Sequence, residues 1–138
     1  MKHFFVDTNV LLDLLTRREP FDQEAGLLLD AAVRGRVRLY VASLSFSHIH
    51  YVLRKTNTPA ERTDKLLKLA RLTQVVAVDE TVILRALESQ SRDFEDAIQQ
   101  FAATSIAAIT AIITRDPKGF AAGELPSLSP AGTLRLIG

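Results

Sequence analysis

Cysteine is absent from the 138 residues. Its absence excludes a disulfide framework and a thiolate metal site, so metal or catalytic chemistry must come from carboxylates, hydroxyls, amides or the three histidines. An excess of either charge is also missing. The formal net charge is +1, whereas nucleic-acid-binding domains are often strongly basic, so composition alone gives no support to a nucleic-acid partner. No long hydrophobic run is present. The most apolar stretch, from Ile106 to Ile113, is too short to span a bilayer and contains Thr110. The opening MKHFFVDTNVLLDLL has the outline of a signal peptide, but Asp7, Asn9 and Asp13 interrupt it and no small-residue cleavage site follows. The expectation is a cytoplasmic protein without a membrane partner. Repeats, low-complexity segments and linkers are lacking as well.

A chain of this length, 47% hydrophobic and 24% charged, suits one globular domain spanning residues 1–138 and large enough to need no staples. Short β-like runs alternate with helical patterns along it. His3 to Val6 reads as a strand, followed by a helix from Val10 to Leu15. Phe21 to Val33 reads as a second helix that Gly35 terminates. A strand follows from Val37 to Ala42, then a helix capped by Ser43 or Ser45 and running to Lys55. Thr58 and Glu61 form a capping-box pattern, with Pro59 in the first helical position of a helix ending near Arg71. Gln74 to Val78 is strand-like, and Asp79 caps a helix through Leu87. Asp93 opens a long helix to about Ala107, and Ala111 to Thr114 is a strand. Arg115 to Pro126 is mostly loop, then a short strand at Ser127-Leu128 precedes a terminal helix from Pro130. Such alternation indicates an α/β fold with a mainly parallel sheet, in which ligands bind beyond the carboxyl ends of the strands.

Three acids fall where such a site would form. Asp7 directly follows the first strand, Asp116 stands just past the Ala111–Thr114 strand, and Asp96 lies in the first turn of the helix leading into that strand. Each also has a purely structural reading. Asp7 or Thr8 can cap a helix, Asp93 and Asp96 fit an N-cap and third-position pair, and Asp116-Pro117 opens a turn. Taken together, the acids suit Mg²⁺ or another hard cation, which takes oxygen ligands, lowers the pKa of an attacking water and offsets charge on a phosphate. Clustered carboxylates repel one another without such an ion.

The segments Phe5-Val6-Asp7-Thr8-Asn9-Val10-Leu11-Leu12-Asp13, Asp93-Phe94-Glu95-Asp96-Ala97-Ile98-Gln99 and Ile112-Ile113-Thr114-Arg115-Asp116, with Phe120 after them, resemble in order the motifs of the PIN-domain family and its VapC-like toxins. The resemblance covers essentially the whole chain. It implies a PIN-like, Rossmann-like α/β/α sandwich and endonucleolytic cleavage of RNA with Mg²⁺ or Mn²⁺. Asp7, Asp96 and Asp116 would be the catalytic, metal-binding carboxylates, with Thr8, Asn9 and Thr114 as polar supports and Asp93 and Glu95 close enough to exchange roles with Asp96. A homodimer neutralised by a small antitoxin is likewise implied.

One departure stands out. Family members usually carry a Glu on the helix after the second strand, and here that position holds His48. A neutral imidazole is a softer ligand that suits Mn²⁺ better than Mg²⁺; the plainer reading is a hydrogen-bonding histidine. His50, two residues on, lies on a different helical face and does not pair with it. Basic residues near the motifs include Arg17, Arg18, Arg115 and Lys118, candidates for phosphate contacts, although solvated surface charge explains each one singly. A dehalogenase-type phosphatase also begins with a strand ending in Asp, but needs a second Asp where Asn9 stands. A PIN fold that binds RNA or protein without cutting is the remaining alternative, and it draws on the missing Glu.

Overall fold

The computed structural model describes residues 1–138. Five strands form one sheet: β1 (Lys2–Val6), β2 (Val37–Ala42), β3 (Gln74–Val76), β4 (Ala111–Ile113) and β5 (Ser127–Leu128). All neighbours pair in parallel, in the order β3-β2-β1-β4-β5. The helices are α1 (Thr8–Leu15), α2 (Phe21–Val33), α3 (Ser43–Leu53), α4 (Pro59–Leu72), α5 (Glu80–Glu88), α6 (Phe94–Thr104) and α7 (Pro130–Ile137), with a short 3₁₀ turn at Pro117–Phe120. No helix is long and apolar enough to cross a membrane.

Period-two alternation divides the apolar side chains between two cores. Phe4, Val6, Leu39, Val41 and Ile113 face one way and meet Leu11, Leu28, Ile49 and Leu53 of α1, α2 and α3. Phe5, Tyr40 and Ile112 face the other way and meet Val82, Ala86, Ile98 and Ala102 of α5 and α6, with Phe120. The result is the expected three-layer α/β/α sandwich with a wholly parallel sheet. Because both faces are covered, β1 and β4 are apolar throughout their buried lengths.

The Thr58–Glu61 capping box forms as its spacing predicts, with Thr58 N–H donating to Glu61 Oε1 at 2.8 Å and Glu61 N–H to Thr58 Oγ1 at 3.2 Å. Other boundaries differ from the expectation. Neither Ser43 nor Ser45 caps α3: its N-cap is Ala42, without a side-chain bond. Ser43 Oγ instead accepts from the Val78 N–H, and Ser45 Oγ lies 2.7 Å from Thr8 Oγ1. Tertiary partners thus take both hydroxyls away from the local helix end. α6 stops at Thr104, with Ser105 as its C-cap, and β3 closes at Val76, because only three of its residues find partners on β2.

Candidate active site

β1 lies between its sequence successor β2 and the late strand β4, so chain connections leave it in opposite directions. Strand order reverses there, and parallel sheets open a crevice beyond the carboxyl ends at such a point. In register, Val6 pairs with Ile113, so the next residues, Asp7 and Thr114, emerge side by side. The Asp7 N–H donates to Ile113 O at 2.9 Å and closes the ladder under them.

Asp7 is 2% exposed, and both its carboxylate oxygens are engaged. Gln99 Nε2 donates to Oδ1 at 3.1 Å, and Thr114 Oγ1 donates to Oδ2 at 2.8 Å. Each oxygen keeps lone-pair capacity for a further partner. Oδ1 also accepts the Asn9 N–H at 3.3 Å, so Asp7 caps α1 as well. The Asn9 side chain is exposed, and it is the backbone of this residue that supports Asp7.

Gln99 closes the second motif segment and is given no role by the sequence, yet it organises this edge. Its Oε1 accepts from Thr8 N–H at 2.9 Å and from Thr8 Oγ1 at 3.0 Å, while its amide nitrogen holds Asp7. The signal available was spacing, since Gln99 lies three residues after Asp96 and therefore shares its helical face. Thr114 is a second relay. Its hydroxyl donates to Asp7 and accepts the Asp116 N–H at 2.9 Å, linking two of the expected acids through one side chain.

Asp96 reaches the same edge because α6 leads into β4. A helix antiparallel to its following strand starts where parallel strands end. Asp93 caps this helix by accepting the Asp96 N–H at 3.1 Å, as the structural reading of that pair expects. The Asp96 carboxyl is raised to about 6, first by desolvation and then by repulsion from Asp93, Asp7, Asp116 and Glu95. The acids are thus mutual electrostatic neighbours. Gly119, in the 3₁₀ turn anchored by buried Phe120, passes so close to Asp96 that a Cβ there would collide with its carboxylate.

His48 comes from α3, and its Nδ1 stands 3.9 Å from Glu95 Oε2, too long for a hydrogen bond. Arg17, Arg18 and Lys118 are exposed, whereas Arg115 is already committed. Its Nε and Nη2 donate to Asp13 Oδ2 and Oδ1 at 2.6 and 3.0 Å, and its guanidinium stacks 3.7 Å from the Phe21 ring centroid. That bidentate pairing satisfies the charge expected to serve a phosphate, so Arg115 is better described as a brace between α1 and the end of β4.

No three His, Asp or Glu side chains converge tightly enough to hold a bare ion. The carboxylates of Asp7, Asp96 and Asp116 and the hydroxyls of Thr8 and Thr114 nevertheless offer hard oxygens, and Mg²⁺ commonly retains several waters while using only one or two carboxylates. This set of oxygen donors suits a hard divalent cation that keeps part of its hydration shell.

A model of the PIN-domain family matches residues 3–118. No curated protein matches the chain by sequence. Among solved structures, VapBC2 from Rickettsia felis bound to a promoter DNA fragment is similar at TM-score 0.65 and 12% identity, covering 92% of this chain and 98% of that one. FitAcB from Neisseria gonorrhoeae gives TM-score 0.67 at 17% identity, covering 93% and 98%. Mycobacterium tuberculosis VapC20, a sarcin-ricin-loop-cleaving toxin, gives TM-score 0.67 at 19% identity, covering 87% and 95%. At these identities the likeness is one of fold.

Proposed function

Because this chain belongs to the PIN-domain family, we propose that it is a metal-dependent endoribonuclease, the toxin of a toxin–antitoxin pair, cutting RNA at the Asp7–Asp96–Asp116 edge. The observation that carries this reading is Asp7, buried at the sheet's switch point with one side-chain donor on each oxygen and Asp96 raised beside it. A helix cap needs neither that burial nor two further acids close by.

Asp7, Asp96 and Asp116 would hold Mg²⁺ or Mn²⁺, which when bound supplies an activated water and offsets charge developing on the phosphate. Gln99 and Thr114 fix the Asp7 rotamer, and Thr8 is held in turn by Gln99 and Ser45. Arg17, Arg18 and Lys118 are free to meet flanking phosphates, which would make binding depend steeply on salt. His48 in place of the family's Glu leaves the edge one carboxylate poorer and favours Mn²⁺. The structural neighbours include toxin–antitoxin complexes and a toxin that cleaves the sarcin-ricin loop. A homodimer blocked by a small antitoxin, with a structured RNA as substrate, follows by analogy.

Incubation with a mixed structured RNA in EDTA, Mg²⁺ or Mn²⁺, beside Asp7→Asn, tests the reading. Cleavage is expected only with metal, fastest with Mn²⁺, and the variant should lose about 100-fold or more in rate. Full metal-dependent cleavage by Asp7→Asn would refute the assignment. The second reading, a fold that binds without cutting, rests on His48. Folded wild-type protein that binds RNA and cuts none under any condition would favour it.

A further inference from the structure

Beside the acids lies a cavity of about 490 Å³ that the hydrolytic chemistry leaves unused. Its walls are Leu44 and Tyr51 from α3 and Phe94 and Ile98 from α6. Leu44, Tyr51 and Phe94 are 47, 61 and 43% exposed, so three large apolar side chains on two elements converge on one hollow without covering one another. The floor includes Thr8 and Gln99, the pair that anchors Asp7. Cavity and acidic edge are therefore continuous. Ser47 and His48 add polar groups to the lining, and no Lys or Arg belongs to it.

We infer that this cavity receives one nucleobase of the RNA strand, from a nucleotide adjoining the scissile phosphate. The inference rests on the ribonuclease reading of the acidic edge. A strand whose phosphate sits at Asp7 must carry its next nucleotide past Thr8 and Gln99. A phosphate is a poor occupant, because the lining offers no cation and includes Glu95. A nucleobase fits, with apolar faces for Phe94 and Tyr51 and a polar edge for Ser47 and His48. The Arg54 guanidinium covers one face of Tyr51, 3.6 Å from the ring centroid, and donates from Nη1 to the Tyr51 carbonyl at 2.8 Å. This steadies the ring and brings a positive charge near the rim, where the following phosphate would lie. The volume lies within the range of small-ligand pockets and suits a single base with part of its ribose.

Phe94 is the residue to change, since its exposure lets the fold tolerate replacement; a thermal melt checks that it does. Mapped cleavage sites of the wild type are expected to show a base preference at one position beside the cut. Phe94→Ala should flatten that preference and raise KM about ten-fold, with kcat far less affected. Phe94→Trp should restore both, because it retains a stacking face. Binding of a labelled single-stranded oligoribonucleotide in EDTA should weaken in parallel. If the wild type cleaves RNA while Phe94→Ala and Leu44→Asp leave preference and KM unchanged, the base pocket is refuted and the nuclease reading stands. Wild-type protein that neither cuts nor binds RNA would overturn both. Sedimentation showing that these variants lose a second copy or an antitoxin, with base preference intact, would assign the wall to a protein partner and refute the proposal.

Discussion

A carboxyl that holds its proton to about pH 6 gives the acidic edge a signature readable without substrate. Asp96 has an ordinary value of 3.8 when exposed in the unfolded chain and about 6 in the fold, through desolvation and its acidic neighbours. Between those values the native state binds more protons, so stability falls as pH rises from about 4 to 6 and stays lower above. With the discount that partial solvent access requires, the loss is about 1–2 kcal/mol. In metal-free melts, Asp96→Asn should abolish that decline and be the more stable protein at pH 7. Mg²⁺ or Mn²⁺ should raise the wild-type melting temperature at pH 7.5 more than at pH 5. An unchanged pH slope in the variant would remove Asp96 as its source. The structural reading of this residue does not compete with the proposed one, since Asp96 sits at the third position of a helix that Asp93 caps.

Among the elements, the link between α1 and the end of β4 is the most consequential. Asp13 is buried in α1, 2% exposed, and its carboxylate is satisfied by Arg115, the residue between Thr114 and Asp116. The pair ties the Asp116 loop to the helix that Asp7 caps. Removing Arg115 alone would strand a buried charge and cost about 3 kcal/mol or more. Replacing both residues, Asp13→Leu with Arg115→Met, should cost much less, because no unpaired charge remains. Denaturant midpoints of the two singles and the double measure the difference; equal losses in single and double variants would show that the ion pair is not the brace. Sequence reading made Arg115 one of four candidates for a phosphate contact because it lies near the motifs, with solvated surface charge as the plainer explanation. It could not see that Asp13, 102 positions earlier, lies opposite.

For the molecule as a whole, one sheet with two cores makes the layers interdependent. β1 contributes Phe4 and Val6 to one core and Phe5 to the other, so neither survives its removal. We expect a single cooperative unfolding transition, with far-ultraviolet circular dichroism and tyrosine fluorescence coincident in urea. Two resolved transitions would overturn the single-domain expectation.

Local rules determined a large part of this protein. Alternating short apolar runs and helical patterns specified a parallel α/β sheet, since period and punctuation are properties of neighbouring residues. The Thr58–Glu61 box and the caps at Asp79 and Asp93 formed for the same reason. The motifs around Asp7, Asp96 and Asp116 identified the edge to inspect. Only tertiary structure decided what surrounds them. Gln99 bridging Asp7 and Thr8, Ser45 turned from capping to Thr8, and Arg115 drawn to Asp13 all depend on partners 37 to 102 residues away. A polar side chain answers to whichever donor or acceptor the fold brings within about 3 Å, and that choice is made by strand order and packing.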